Sequence, residues 1–250
     1  MIKEDILEIL HNIEKTEKIE ILYACEAGNR VLGFANENSD YNIRFIYKKE
    51  DYKDYFFKKY IDVIECEGDG LDILGFDIKK ALNLHYMNNG YLREWMISNQ
   101  VYIDKGIDDI FLNLGGFDLD VLKNHYADIA LRDWRRYCPL EFKNAKTEKY
   151  LRVIRSILCW KLLDCGIYPP INLNDMINHQ LIGLDKNTQY TIGELIDYHC
   201  KEGNLSEMTM FKLDNFILNS LSHMDNVKTD SFKDLSLYEH RFNEILIGGE

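Results

Sequence analysis

Acidic and amide side chains alternate with apolar ones in a short stretch of the first fifth of the chain. Asp40, Asn42 and Arg44 recur at every second position, and the positions between them are apolar or aromatic. In a β-strand this spacing places all three side chains on one face. Two oxygen ligands at i and i+2 can hold a divalent metal ion, because Mg²⁺ prefers a few carboxylates together with phosphate oxygens and waters. We therefore interpret Asp40–Tyr47 as a metal-binding strand.

A third acid usually completes such a site, and Asp72 is the first candidate. It lies within the segment GLDI at 70–73, where the apolar neighbours are typical of an acid on a strand. Asp77 stands directly before the run IKKALNLHYM, a position that favours a helix N-cap. We therefore expect Asp72 to be the ligand and Asp77 the cap, while Glu65 and Asp77 stay open as alternatives for the third acid.

A glycine turn precedes the metal-binding strand. The apolar run Ile19–Cys25 predicts a strand, and Gly28 permits a tight turn that a residue with a Cβ would resist. The following residues predict a short helix over Arg30–Phe34, whose first N–H groups have no partner within the helix and attract phosphate. The turn would then bring a triphosphate to the metal ion.

Three sequence blocks of a known pattern occur in order between residues 20 and 175. They read EAGNRVLGF and SDYNIRFIY at 26–34 and 39–47, GFDIKKAL and LREWM at 75–82 and 92–96, and EKYLRVIR with a later PP at 148–155 and 169–170. The corresponding patterns are E-S-G-S-R-x-W-G-F with S-D-Y-D-V-R-F-I-Y, G-W-D-L-R-K-A-L with L-E-W-L, and K-K-Y-L-Y-x-x-R with P-P. The chain thus resembles the DNA polymerase β-like nucleotidyltransferase superfamily, and more narrowly its YcgL-type members, an RNA-repair-pathway polymerase β family.

The resemblance implies an α+β fold, with a small mixed sheet and helices in a nucleotidyltransferase domain followed by an α-helical bundle domain. It implies transfer of a nucleoside monophosphate from a nucleoside triphosphate to a hydroxyl, with Mg²⁺ or Mn²⁺ and with an RNA end as the favoured acceptor. The catalytic and metal-binding residues are then Asp40, Asn42 and Asp72. The nucleotide-binding residues are Gly28, Asn29, Arg30, Arg44, Lys80 and Arg155, with Lys149 as a further candidate and solvated cations as the alternative for Lys79 and Lys80.

Two residues depart from the pattern at chemically important positions. Asn29 replaces the turn serine, although it can still cap a helix and its amide can contact phosphate. Asn42 replaces the second aspartate and so loses the negative charge that helps hold a second metal ion and activate an attacking hydroxyl. The sequence therefore predicts an enzyme weakened at Asn42, with a catalytically silent nucleotide-binding or regulatory protein of the same fold as the alternative. A substitution introduced to trap a substrate is a third interpretation of Asn42.

The overall charge of the chain is negative. Its 250 residues carry a formal charge of −12, which excludes a surface that binds nucleic acid generally. Residues 130–161 differ, with nine Lys or Arg against three acids. A solvated basic face is the ordinary interpretation of such a run, and a face directed at a triphosphate or an RNA end is the alternative.

The cysteines and the apolar runs indicate a cytoplasmic protein. Six cysteines, at positions 25, 66, 138, 159, 165 and 200, form no Cys-x-x-Cys pair and are expected to be reduced. The N-terminal segment MIKEDILEIL carries acids and is not typical of a signal peptide. No apolar run approaches the roughly 18 residues that span a bilayer, so we expect no membrane partner.

The sequence predicts two domains, residues 1–110 with the nucleotide chemistry and residues 111–250 with helices, and a triphosphate held between them. Lys3–Glu14 predicts an amphipathic helix, and residues 61–74 predict a hairpin. An aromatic stripe between residues 52 and 60 is interpreted as core, with base stacking as the alternative. Periodic apolar residues predict four helices in the second domain: Leu119–Arg136, Ala145–Cys165, Ile192–His199 and Met208–Leu221.

Overall fold

The computed structural model of the chain describes residues 3–57, 61–137, 147–201, 206–225, 229 and 233–247. The chain divides into two compact units. The first comprises Met1–Val31, Asp40–Phe117 and Phe232–Glu250, and the second comprises Leu32–Ser39 and Asp118–Ser231. The division predicted between residues 110 and 111 stays a prediction.

Five strands and twelve α-helices are present in the described residues. The strands are β1 (Ile19–Ala27), β2 (Tyr41–Lys49), β3 (Val63–Gly68), β4 (Leu71–Asp77) and β5 (Val101–Asp104). The helices are α1 (Lys3–Glu17), α2 (Asn29–Leu32), α3 (Asp54–Phe57), α4 (Ile78–Tyr86), α5 (Gly90–Met96), α6 (Ile107–Ile110), α7 (Leu119–Tyr137), α8 (Thr147–Asp164), α9 (Leu173–Ile177), α10 (Lys186–Lys201), α11 (Glu207–Leu221) and α12 (Leu235–Ile247). None of the described helices combines the length and the hydropathy that crossing a membrane requires.

The sheet is mixed, and β2 lies at its centre. The strand order is β3-β4-β2-β1-β5. Strand β2 pairs antiparallel with β1 and parallel with β4, and β3 and β4 form the antiparallel hairpin that the sequence predicted. Together with the helices of the second unit, this sheet confirms the predicted α+β fold class.

Alternation along β2 directs one face of the strand into the core of the first unit. Ile43 and Phe45 are fully buried and lie in one apolar cluster with Ile6 and Leu10 of α1. The apolar stripe of the helix and the apolar face of the sheet leave water together, which stabilises both elements. The predicted amphipathic helix is confirmed.

Helix α5 covers part of the opposite face of the sheet. Trp95 stacks on Phe76 of β4 with ring centroids 4.5 Å apart, and the Tyr23 hydroxyl donates to the Trp95 carbonyl at 2.8 Å. Helix α4 begins where β4 ends, because the side chain of Asp77 accepts the N–H of Lys79 at 2.8 Å. The predicted N-cap is confirmed.

The aromatic stripe before β3 is described only in part. The Tyr55 hydroxyl donates to Asp77 Oδ2 at 3.0 Å, as expected of a packed side chain, and Tyr52 is exposed. The side chain of Phe56 and the whole of Tyr60 lie outside the described residues. Base stacking by this stripe stays a prediction.

The C-terminal helix α12 packs on α4 in the first unit. Nδ1 of His85 lies 2.7 Å from the Tyr238 hydroxyl, and Lys233 donates to the His85 carbonyl at 2.8 Å. Burial, with the nearby charge of Lys233, lowers the pKa of His85 to about 3. The imidazole that joins the two helices is therefore neutral at pH 7.

The second unit packs around α8, which is buried along most of its length. The Tyr150 hydroxyl in α8 donates to Asp214 of α11 at 2.8 Å. The four predicted helices are present as α7, α8, α10 and α11, and α10 begins earlier than predicted, at Lys186. Ala145 and Lys146, predicted to open the second of them, lie outside the described residues.

Candidate functional site

Strand register brings Asn42 and Asp72 side by side. Strands β2 and β4 run parallel, and these two residues are direct partners in their ladder. Arg44, two residues further along β2, donates to both carboxylate oxygens of Asp72, from Nη2 to Oδ2 at 2.7 Å and from Nη1 to Oδ1 at 3.2 Å. The same Nη2 lies 3.4 Å from Asn42 Oδ1. Asn42 and Arg44 of β2 therefore form a cluster with Asp72 of β4 that combines an amide, a guanidinium and a carboxylate.

The Gly28 turn adjoins this cluster. Gly28 has φ +63°, and a Cβ added there would lie 2.8 Å from Cγ of Asn42. Glycine is thus required at position 28 for two reasons. The backbone is left-handed, and the Asn42 side chain leaves no space for a Cβ. Ala27 pairs with Asn42 across the β1–β2 ladder, so the turn that follows β1 ends against Asn42. Helix α2, after the turn, is shorter than predicted and has only four residues.

Asp40 lies at the same end of the sheet, directly before β2. It is exposed, and a Cβ added at Gly70 in the β3–β4 turn would lie 3.9 Å from its Oδ1. The Asn42 side-chain amide donates to the Asp40 carbonyl at 3.1 Å. The polar residues at the starts of β2 and β4 are thus two aspartates and an asparagine.

This donor set suits a single Mg²⁺ ion. Two carboxylates and an amide oxygen, completed by phosphate oxygens and waters, are ligands that Mg²⁺ accepts. In the described ranges of the chain, no three His, Cys, Asp or Glu side chains come together as a metal site. A metal site at this end of the sheet would therefore have to use the Asn42 amide as well as the two carboxylates.

Asn29 at the start of α2 carries an unsatisfied acceptor. Its Oδ1 is buried and has no hydrogen-bond partner in the part of the chain that the structure describes. Such an atom costs roughly 1–3 kcal/mol. A phosphate oxygen is itself an acceptor and cannot satisfy it, whereas a sugar hydroxyl or a base amine can. Asn29 Oδ1 therefore needs a hydrogen-bond donor, while the phosphate contact predicted for Asn29 would need its NH₂ group.

Glu26 also belongs to this region, although the sequence predicted no role for it. It is 2% exposed, its Oε1 accepts the N–H of Asn42 at 2.7 Å, and its Oε2 accepts the Tyr102 hydroxyl at 2.6 Å. Burial raises the pKa of the Glu26 carboxyl. The available signal was an acid at the end of an apolar strand, because carboxylates are rarely buried without partners. Glu26 positions Asn42 by holding its backbone.

Arg30 lies away from the cluster of Asn42, Arg44 and Asp72. Its guanidinium carbon is 3.8 Å from the centroid of the Tyr41 ring, and Tyr41 packs against the core cluster on the opposite face of β2. Arg30 there lines a polar cavity of about 420 Å³ together with Glu26, Tyr41 and Tyr102. The structure therefore places the Arg30 guanidinium on the other face of β2 from the predicted phosphate site.

Lys80 lies at the other end of β4 from Asp72. Asp77 lies five positions after Asp72 along β4, a distance of about 17 Å at the usual rise, and Lys80 follows in the first turn of α4. The Lys80 ammonium pairs with Asp62 at 2.8 Å. The structure therefore does not bring Lys80 to the other predicted nucleotide-binding residues, and the buried cap Asp77 lies at the same distant end.

Arg155 belongs to the second unit, where it is 6% exposed. Its guanidinium donates to the Ile171 carbonyl from Nε at 3.4 Å and from Nη2 at 3.3 Å. These contacts indicate a packing role, and we leave Arg155 out of the proposed phosphate site. In the basic run, Arg152 pairs with Glu148 at 2.8 Å, and the Lys149 ammonium lies 4.8 Å from the Tyr137 ring. Lys143 and Lys146 of this run lie outside the described residues.

Comparison of the whole sequence with known protein families agrees with the sheet and with the polar cluster at the starts of β2 and β4. The sequence model of RlaP, the RNA repair pathway DNA polymerase beta family, matches residues 2–248. The chain belongs to this family, and the resemblance inferred from its three blocks is confirmed.

Two known proteins illustrate the similarity. The chain is 34% identical over 183 residues to the uncharacterized protein YcgL of Bacillus subtilis (strain 168), over 70% of this chain and 69% of that protein. A solved structure, the nucleotidyltransferase-like protein from Exiguobacterium sibiricum 255-15, aligns with 89% of this chain and 73% of its own, at 13% identity and a TM-score of 0.36. The family assignment follows from the family model and from the Bacillus relative.

Proposed function

We propose that the protein transfers a nucleoside monophosphate from a nucleoside triphosphate to a hydroxyl group, with Mg²⁺ or Mn²⁺ bound at Asp40, Asn42 and Asp72. The observation that supports this is the meeting of the Gly28 turn, Asn42 and Asp72 at one end of the sheet. These residues come from three separate segments. A metal-dependent transfer site needs such a convergence of a phosphate-binding turn and metal ligands.

Each of these residues has a distinct role in the proposal. Asp40 and Asp72 supply carboxylates and Asn42 supplies an amide oxygen to the cation, which when bound would offset the charge that develops on the transferring phosphoryl group. Gly28 allows the backbone to approach the phosphates closely, because it has no side chain. Arg44 supplies positive charge beside Asp72.

The acceptor that we infer is an RNA end, because the family is described as belonging to an RNA repair pathway. A protein side chain or a small metabolite is the alternative acceptor. Cys25, Cys66, Cys159, Cys165 and Cys200 are free thiols. Free thiols fit a reducing compartment, and we therefore propose a cytoplasmic location.

A catalytically silent nucleotide-binding protein is the second candidate, and Asn42 is the observation that favours it. Its amide brings no negative charge, and the carboxylate of Asp72 is already paired with Arg44. Loss of a transition-state charge contact commonly lowers rates by roughly 10²–10³. Such a protein would hold a nucleotide and regulate a partner.

Incubation with labelled nucleoside triphosphates, Mg²⁺ or Mn²⁺ and an RNA pool separates the two candidates. The unchanged protein is compared with Asn42→Asp, which restores the charge, and with Asp40→Ala, which removes a metal ligand. If the proposed function holds, the unchanged protein labels RNA, Asn42→Asp labels it roughly 10²–10³ faster, and Asp40→Ala labels none.

Other outcomes point elsewhere. Labelling by Asn42→Asp alone would identify a silenced enzyme. An absence of labelling by both, with a melting temperature that rises on addition of nucleotide, would favour the binding protein. Labelling that persists in Asp40→Ala would contradict the proposed site.

A further inference from the structure

The Arg44 guanidinium lies between the side chains of Asn42 and Asp72, both of which we propose as metal ligands. Its Nη2 is 2.7 Å from Asp72 Oδ2 and 3.4 Å from Asn42 Oδ1, and its Nη1 is 3.2 Å from Asp72 Oδ1. Arginine–carboxylate pairs that form two parallel hydrogen bonds are among the stronger ion pairs in proteins. The side-chain oxygens of Asn42 and Asp72 that would bind a metal ion therefore already face a positive charge.

Backbone carbonyls hold this guanidinium independently of the Asp72 carboxylate. Nη1 also donates to the carbonyl of Asp72 at 2.8 Å and to that of Ile43 at 3.1 Å. The Arg44 side chain is 14% exposed, against 38% for that of Asp72. A cation that approaches from solvent can thus reach Asp72 while Arg44 stays anchored.

We propose that Arg44 competes with a divalent cation for the oxygens of Asp72 and Asn42. The affinity of the site for the metal ion is therefore low when no other ligand is bound. Asn42 is neutral, so the charges of Arg44 and Asp72 cancel within this cluster. A doubly charged ion beside the anchored guanidinium meets like-charge repulsion, which is several-fold stronger near a protein surface than in bulk water. The competition therefore lowers the affinity for the free metal ion.

The competition also couples metal binding to the binding of an anion. A ligand that brings its own negative charge, such as the triphosphate group of a nucleotide, offsets the guanidinium and so favours entry of the metal ion. The identity of the anion in this coupling rests on the proposed function. The competition at Asp72 does not depend on which anion binds. By linkage, the anion and the metal ion raise each other's affinity by the same factor.

A titration with Mn²⁺ tests the competition without an activity assay. Bound Mn²⁺ is measured by loss of the electron paramagnetic resonance signal of the free ion. Arg44→Gln removes the charge and leaves an amide that can still donate to the carbonyls, so we expect Mn²⁺ to bind roughly tenfold more tightly. Lys53→Gln, at an exposed position beyond the end of β2 farthest from Asn42, changes the net charge equally and should leave the affinity unchanged because distant exposed charges are screened.

Two further variants make the test specific. Asp72→Asn added to Arg44→Gln should abolish the gain, because the metal ion loses its carboxylate. Arg44→Lys keeps the charge without the two-pronged geometry and should give a smaller gain. If circular dichroism shows Arg44→Gln to be unfolded, Arg44→Lys decides the question. Unchanged affinity in the folded Arg44 variants, an equal gain in Lys53→Gln, or a gain that survives loss of Asp72 would each overturn the competition.

A non-hydrolysable nucleoside triphosphate analogue tests the coupling, with its own binding of Mn²⁺ measured separately. It should tighten Mn²⁺ binding more in the unchanged protein than in Arg44→Gln, and equal enhancement would overturn the coupling. A gain in Arg44→Gln without labelling of RNA by any variant would leave the competition standing and the proposed function refuted. Labelling of RNA together with an unchanged Mn²⁺ affinity in Arg44→Gln would refute the competition and leave the proposed function standing.

Discussion

At the residue scale, Asn42 is the position on which the chemistry of the site depends. Its backbone is held by Glu26, its Oδ1 faces Arg44, and its side chain fills the space that a Cβ at Gly28 would need. An aspartate there would keep the shape of asparagine and add a charge beside Arg44. Arg44 would thus favour the aspartate of the family pattern, while an aspartate would lose the hydrogen bond that the Asn42 amide donates to the Asp40 carbonyl.

Replacing Gly28 with alanine should lower the free energy of unfolding by about 2 kcal/mol, because the left-handed backbone costs a residue with a Cβ roughly 1–2 kcal/mol and the new methyl group meets Asn42. Denaturant unfolding measures this loss. The rise in melting temperature caused by a nucleotide analogue should shrink as well.

Gly115→Ala is the matched control for Gly28→Ala. Gly115 also has a positive φ, +77°, but nothing lies within 4 Å of its added Cβ. It should show the backbone cost alone and an unchanged response to nucleotide. Equal losses in the two variants would mean that the contact with Asn42 does not matter.

At the element scale, the site depends on the parallel pair β2 and β4. Strand β2 was predicted from its alternation and β4 from the hairpin, and Asp72 was expected to join the polar residues of β2. The register that pairs Asp72 with Asn42 was not predicted, because alternation says which face a residue occupies and not which residue lies beside it. Gly75 of β4 makes the close pairing possible. It stands opposite Phe45, and a Cβ there would lie 2.1 Å from the Phe45 ring.

Gly75→Ala should therefore destabilise the protein by about 1–3 kcal/mol, as overpacking of a filled core does. Phe45 is fully buried, so its ring has no solvent space to move into. Urea unfolding measures the change. Gly193→Ala in helix α10 is the control, since its added Cβ meets nothing within 4 Å and alanine stabilises a helix by up to about 1 kcal/mol. A Gly75→Ala protein as stable as the unchanged one would show that β4 shifts freely against β2.

At the scale of the whole molecule, the chain returns at its C-terminal end to the unit that contains the sheet. His85 in α4 and Tyr238 in α12 form a buried contact, although they lie 153 positions apart in the sequence. The second unit contains the long helices α7, α8, α10 and α11. Part of the stability of the first unit is therefore decided by the last residues of the sequence.

This contact should make stability depend on pH. Because burial lowers the pKa of His85 to about 3, from about 6.5 in an unfolded chain, the folded state favours the neutral ring. The stabilisation is complete above pH 6.5 and falls by about 1.4 kcal/mol per pH unit as the pH drops from there toward 3.

Unfolding free energies of the unchanged protein and of His85→Gln, measured at pH 7, 5.5 and 4.5, isolate this effect from that of the carboxylates. The advantage of the unchanged protein should shrink as the pH falls. An advantage that stays constant across this range would mean that folding does not change the pKa of His85.

The sequence by itself determined the elements and their polarity. Alternation in β2, the Asp77 cap and the Gly28 turn are local properties, because each depends on residues a few positions apart. Only the tertiary structure decided which polar residues meet. It placed Asp72 beside Asn42 through a parallel ladder, separated Lys80 from them by the length of β4, buried Arg155 in the second unit and brought Glu26 under Asn42. Such meetings depend on contacts between distant segments, whose geometry is set by packing and register that no local pattern records.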